Sequence, residues 1–262
     1  MGIKQRLYND FFRPSKEKEY ELILKAARDN GYEFHTVLSF EEVIKDGIKE
    51  HKKYIILRRD IDTADSHILK KMLDLEKKYG ARATYYFRWN TMDKKLMKEI
   101  EESGGEASYH YEEIATYCYK NHIKTQEDMW RHIEDIRDLF IKRYNEFKYE
   151  TGLPCLTVAS HGDFMNAKIG VPNKELMDGR VRSSCGIVRE AYDEEHISLL
   201  TSRVADQNEM EIFTTKALAE IEKNEPVLEL LTHPRQWNSP IMVNLKEEMN
   251  RIGKEIYWRL LR

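Results

Sequence analysis

Between Tyr54 and Arg88 an apolar run, an amphipathic stretch and a second β-prone run follow one another, and this order restricts the fold more than anything else in the chain. The first run, Tyr54-Ile55-Ile56-Leu57, has strand length and leads through Arg58 and Arg59 to two carboxylates, Asp60 and Asp62. Ile68, Leu69, Met72, Leu73 and Leu75 then recur along one side of a helix that Gly80 should stop. Ala83-Thr84-Tyr85-Tyr86-Phe87-Arg88 reads as the next strand. A strand, a helix and a strand joined so closely imply parallel strands and a right-handed crossover, so the chain is predicted to be α/β.

Side chains on a strand alternate faces, so Asp60 and Asp62 share one. Two carboxylates on one face repel unless a cation or a shared proton offsets the repulsion. The pair therefore reads either as a metal-plus-base site at a strand end or as a solvated turn, since Asp is common just past strands.

The remaining patterns alternate in the same way. Residues 17 to 29 form an amphipathic helix stopped by Asn30-Gly31, and Tyr32 to Leu38 is strand-like. Ser39 with Glu42 is a capping box opening a short helix. Thr125 to Tyr149 reads as one long helix with Met129, Ile133, Ile136, Leu139, Phe140 and Phe147 as a core stripe. Leu156 to Ser160 is a strand ending at His161, and Ile197 to Ser202 and Val227 to Leu231 are two more. From Leu245 a helix carries Met249, Ile252, Ile256 and Leu260 on one face, to cover the barrel or meet a partner. Neither a linker nor an internal repeat divides the chain. The expected organisation is one domain: a packed extension over 1–50, a barrel over 51–240 and a C-terminal helix over 241–262. In such a barrel Asp60, Asp62, His110, His161 and His233 stand at C-terminal strand ends, which converge on one mouth.

Composition narrows the function classes. The 262 residues are 41% hydrophobic, enough for a sizeable core, and the net charge of −3 provides no basic field for nucleic acid or an anionic membrane. No apolar run approaches the ~20 residues of a membrane span. Met-Gly-Ile-Lys-Gln-Arg-Leu-Tyr lacks the apolar core of a signal peptide. Cys118, Cys155 and Cys185 are scattered and odd in number, which reads as free thiols in a reducing compartment, so the cytoplasm is the expected location.

Leu57-Arg58-Arg59-Asp60-Ile61-Asp62-Thr63 with Glu76 to Phe87 resembles the polysaccharide deacetylase (NodB-homology) superfamily. Within it, the Asp-hydrophobic-Asp-Thr version is similar to that of formamido-arabinose lipid deformylases and of a cytoplasmic branch. Three later segments fall in the family's order: Gly104-Gly105-Glu106-Ala107-Ser108-Tyr109-His110-Tyr111-Glu112, then Ser160-His161-Gly162, then Leu230-Leu231-Thr232-His233-Pro234. The resemblance implies a distorted (β/α)7-type barrel with an extra N-terminal β-α element. It departs from the family at Ile114, where a second histidine is usual, at Gly105 in place of His, and at Arg59, where many relatives carry His. A metal site on the family's recipe is then one ligand short, to be completed by His161 or Glu112 unless the enzyme is retired.

Amide hydrolysis needs a nucleophilic water, a Lewis acid on the carbonyl oxygen and a proton for the departing amine. The resemblance implies Asp60 as base, Asp62 with His110 and His161 as metal ligands, and His233 as general acid, although the two aspartates could exchange roles. Zinc suits imidazole with carboxylate, and manganese, cobalt or nickel also fit an O/N site. Arg88 would bind a substrate phosphate or carboxylate, or form a surface ion pair. Trp89, Tyr111 and Trp237 would stack on sugar rings, or serve as core. His35, His51, His67, His122, His132 and His196 have no companion motif and read as surface or core. The expected function is removal of an acetyl or formyl group from the amide nitrogen of a sugar or sugar conjugate. The alternatives are a non-catalytic carbohydrate-binding or assembly protein and a hydrolase of a non-sugar amide.

Overall fold

The computed structural model describes residues 15–207, 210–237 and 241–260; the expected signal-free N-terminus lies outside these residues. A long strand, β2 (Lys53–Ile61), organises a parallel sheet. With β1 (Tyr32–His35), β3 (Thr84–Phe87), β4 (Glu106–Tyr111), β5 (Thr157–Ser160), β6 (Arg189–Glu190), β7 (Ser202–Ala205) and β8 (Val227–Thr232), the order is β6-β5-β4-β3-β2-β8-β7. One edge of β2 pairs with β8. The other is divided, β1 taking Lys53 to Ile56 and β3 taking Arg58 to Ile61. The sheet curls into a half-barrel without β6 and β7 pairing. This is the distorted α/β barrel expected, with β1 and α2 (Val37–Asp46) as the added element.

Helices α1 (Glu17–Asp29) and α3 (Ser66–Tyr79) form where their periodicity places them, and α3 ends on Gly80 in the left-handed region at φ 64°. Three expectations shift. The capping box of α2 opens on Thr36, whose hydroxyl accepts from Ser39 N while Ser39 Oγ accepts from Thr36 N, so β1 stops at His35 rather than Leu38. The long helix divides at His132 (φ −104°, ψ 10°) into α6 (Gln126–Arg131) and α7 (Ile133–Thr151). Its apolar spacing runs through the break, which is why periodicity does not reveal it. The strand expected at Ile197 to Ser202 is Ser202–Ala205, preceded by the short α10 (Glu194–Ile197).

Alternation along the strands sorts the core into two parts. Ile55, Leu57 and Ile61 face outward, with Tyr85, Phe87, Tyr109 and Tyr111, into the apolar layer beneath the helices. Tyr54 and Ile56 face inward and pack with Phe40, Tyr86, Ala159 and Val227, filling the N-terminal end of the barrel. The inward positions beyond them are polar, and they are the ones that reach the mouth. The remaining helices are α4 (Lys94–Glu102), α5 (Glu113–Lys120), α8 (Phe164–Ile169), α9 (Gly179–Cys185), α11 (Met210–Glu222) and α12 (Ile241–Leu260). None among the described residues is long and apolar enough to cross a membrane.

Candidate active site

Inward parity on β2 continues through Arg58 and Asp60 to Asp62. The registers Ile61↔Phe87, Phe87↔Tyr109 and His110↔Ala159 put Asp62, Arg88 and His110 level on three neighbouring strands. His161 follows β5, its N–H donating to Tyr111 O at 2.8 Å, and His233 follows β8.

At the centre, His110 Nε2 and His161 Nε2 lie 3.4 and 3.5 Å from Asp62 Oδ1. His110 Nδ1 lies 2.9 Å from Ala159 O. A carbonyl only accepts, so Nδ1 carries the proton and Nε2 presents a lone pair. His161 Nδ1 lies 3.2 Å from Glu112 Oε2, an ion-pair distance without hydrogen-bond geometry. Burial pushes the Glu112 carboxyl up, but His161 and Arg88 outweigh it and lower it to about 2, so it stays an ionised acceptor. One ligand atom from each of Asp62, His110 and His161 lies within 4.8 Å of the others, and the buried Asp62 Oδ1 has no hydrogen-bond partner. Burial would also raise Asp62, yet His161, His110 and His233 hold it well below the carboxylate range. Two imidazoles and a carboxylate, with the outer nitrogen of His110 held from behind by Ala159 O, fit a divalent cation.

Asp60 sits beneath this cluster, its carboxylate gripped by Arg58 through Nε (2.9 Å) and Nη2 (2.8 Å), both side chains buried. Burial opposes ionisation, but Arg58 prevails and leaves Asp60 below its ordinary value. His110 Nε2 is 3.8 Å from Asp60 Oδ2. His233 Nδ1 donates to Asp206 Oδ1 at 2.6 Å, and Asp206 Oδ2 accepts from His233 N (2.8 Å) and Trp237 Nε1 (3.0 Å). Burial would lower the His233 imidazolium, but Asp206 raises it to about 9.

The structure therefore gathers Asp60, Asp62, His110, His161, His233, Glu112 and Arg88. Glu112 stands behind His161 and bonds Arg88 Nη2 at 2.6 Å. A second group, Glu112, His161 and Asp163, is a weaker candidate for a cation, since Arg88 and Lys254 already neutralise its carboxylates. Three aromatics are not at the mouth. Tyr111 lies on the outward face, fully buried against Phe140, with its hydroxyl on Glu190. Trp237 is buried between Tyr20 and Phe213. Trp89 packs edge-on against Phe147 of α7, with Arg143 over its ring. Arg59 points outward to Glu76, Tyr20 and Thr232, so the residue there does not bear on the cluster. Sequence reasoning missed Arg58 and Asp206. The former sits two residues before Asp60, on the same face; the latter follows a strand placed a few residues too early.

No protein-family model matches the chain, and no curated protein matches its sequence. Solved structures do. The Streptococcus pyogenes deacetylase PplD in complex with acetate is 16% identical over 58% of this chain and 66% of its own, with a TM-score of 0.37. BA3943 from Bacillus anthracis, a CE4 family pseudoenzyme, is 14% identical over 78% and 63%, with a TM-score of 0.44. IcaB from Ammonifex degensii is 14% identical over 65% and 73%, with a TM-score of 0.42. The chain thus spans less than two thirds of the length of the first two. Likenesses at this level do not speak for chemistry, which rests on the side chains described above.

Proposed function

We propose that this protein is a metal-dependent hydrolase that removes an acyl group, acetyl or formyl, from an amide nitrogen of a sugar or sugar conjugate. The observation that carries the reading is the convergence of Asp62 Oδ1, His110 Nε2 and His161 Nε2. Those three residues would hold the cation, with zinc the first choice for this donor set. When bound, the cation supplies a Lewis acid for the acyl oxygen and lowers the pKa of water. Asp60, kept ionised by Arg58, can take a proton from a water at the site. His233, protonated at neutral pH and with Nδ1 committed to Asp206, can pass a proton from Nε2 to the departing amine. The three ligands include the histidine that replaces the one absent at Ile114.

The test is release of acetate or formate from a panel of acylamino sugars by zinc-reconstituted protein. Asp60→Asn and His233→Ala should lose ~10²–10⁴ in kcat with little change in KM. If no sugar is turned over while some bind tightly, and His233→Ala leaves that binding intact, the chain is a carbohydrate-recognition protein instead.

A further inference from the structure

Helix α12 carries Ile241, Met242, Leu245, Met249, Ile252 and Ile256 between 46 and 77% exposed, whereas the other exposed large apolar side chains among the described residues are scattered singly. Lone exposed apolar residues are ordinary, but a continuous strip of them marks a contact surface. From Leu245 they recur at intervals of four, three and four, which holds them on one side of the helix. The opposite side packs on the body: Asn244 is fully buried, Lys254 pairs with Asp163, Tyr257 donates to the carbonyl of Tyr119 and Trp258 stands edge-on to Phe164. Through Asn250 and Lys254 the same helix walls the cavity of about 240 Å³ that contains Asp62 and His161.

Residues 1–14, which precede the described chain, offer a complementary face. Ile3, Leu7 and Phe11, with Tyr8 and Phe12 beside them, recur at helical spacing, and Pro14 ends the pattern. Their point of departure is fixed, because Lys16 N donates to Trp237 O at 2.9 Å, and Ile241 follows Trp237 by four positions. At most ~14 Å of chain therefore separates that anchor from the first turn of α12. Fourteen residues at the helical rise would span ~21 Å, which is also the length of the strip from Met242 to Ile256. Size decides against a separate partner. A strip ~21 Å long and one helix wide, ~10 Å, falls far below the ~800 Å² that each side gives up in a stable complex. A tethered segment, at an effective concentration in the millimolar range, needs no such area.

We propose that residues 3–12 lie as an amphipathic helix along α12 and cover its apolar strip, bracing that wall of the site from outside. The segment runs toward the anchor at Trp237 and α12 runs away from it, so the two are antiparallel. Hydrogen–deuterium exchange of the full chain, read by mass spectrometry, tests the contact from both sides. Amides of residues 3–12 and of α12 should both be protected in the native chain. Phe11→Ser with Phe12→Ser should speed exchange in α12 by ~10-fold or more, and Met249→Gln with Ile252→Gln should do the same to residues 3–12. Strand β2 should keep its native rate in both variants, which shows that the body is folded. Combining all four changes should add nothing to either effect, since each pair already breaks the one contact. Residues 3–12 exchanging in the native chain at the rate of an unstructured peptide overturn the proposal. So does protection there that survives the two Gln changes, which would seat the segment elsewhere. A dimer in sedimentation that the same Gln changes dissociate overturns it too, and gives the strip to a second copy of the chain.

Discussion

His110 can offer Nε2 to a cation because the Ala159 carbonyl accepts the proton on Nδ1, and the Glu112 carboxylate stands 3.2 Å from Nδ1 of His161. Ligand quality at this site is therefore decided one bond behind the ligands. Removing His110 takes away a ligand outright, so His110→Ala should abolish measurable zinc binding by calorimetry. Glu112→Gln keeps the ligand but loosens its tautomer and orientation, and should weaken zinc binding ~10–100-fold. The His233–Asp206 pair is a parallel case, where Asp206 raises the imidazolium to about 9. A raised value keeps His233 charged to higher pH, so the basic limb of the rate profile should lie on the alkaline side of neutrality. Asp206→Asn should move that limb to lower pH; an unmoved limb would assign the proton to another group. Asp60, Asp62, His110, His161 and His233 are all strand-end residues, which alternation and motif order mark out. Arg58 and Asp206 carry no such mark, because a buried partner is defined by what it faces.

Single elements decide which departures from the motif pattern are tolerated. Gly105 opens β4 so close to α4 that an added Cβ would lie 2.8 Å from Ile100 Cγ2 and 3.2 Å from Ala83 O. That close approach excludes a histidine and predicts that Gly105→Ala costs about 1–3 kcal/mol, read as a lower urea midpoint at unchanged m. Glu113, at the first turn of α5, is buried against Tyr109 and Arg143. Burial raises it to about 7 from an ordinary 4.5, only partly offset by Arg143. A carboxyl raised in the fold stabilises fully below its unfolded value, and that contribution fades as pH rises through the folded one. Stability should therefore fall by roughly 2–3 kcal/mol between about pH 4.5 and 7, and Glu113→Gln should flatten that slope in denaturant titrations across the window. Periodicity located α1, α3 and the strands β2, β3, β5 and β8 closely. It failed at His132 and before Ser202, where the apolar spacing either continues through a break or persists beside a strand that starts later.

At the scale of the whole molecule, a cation that binds only the folded cluster must stabilise the fold. Zinc at ~100-fold over its dissociation constant should contribute about 2.7 kcal/mol and raise the melting temperature by ~5–10 °C. The shift should vanish with chelator and in His110→Ala; a shift that persists in that variant would put the ion elsewhere. The curled sheet itself could be read from the chain, because an apolar strand, a Gly-stopped helix and another apolar strand leave parallel pairing as the way to bury both faces. The ends of those strands, and so the candidate residues, followed from the same patterns. What only the tertiary structure decided is which side chains share the mouth. Trp89, Tyr111 and Trp237 flank the motifs in sequence but have their rings packed against Phe147, Phe140 and Phe213. Lys254, 93 residues from His161, arrives there because α12 folds back to Asp163. Strand periodicity sets the face on which a side chain stands. It does not say which distant helix will close over that face, since that depends on contacts between elements far apart in the chain.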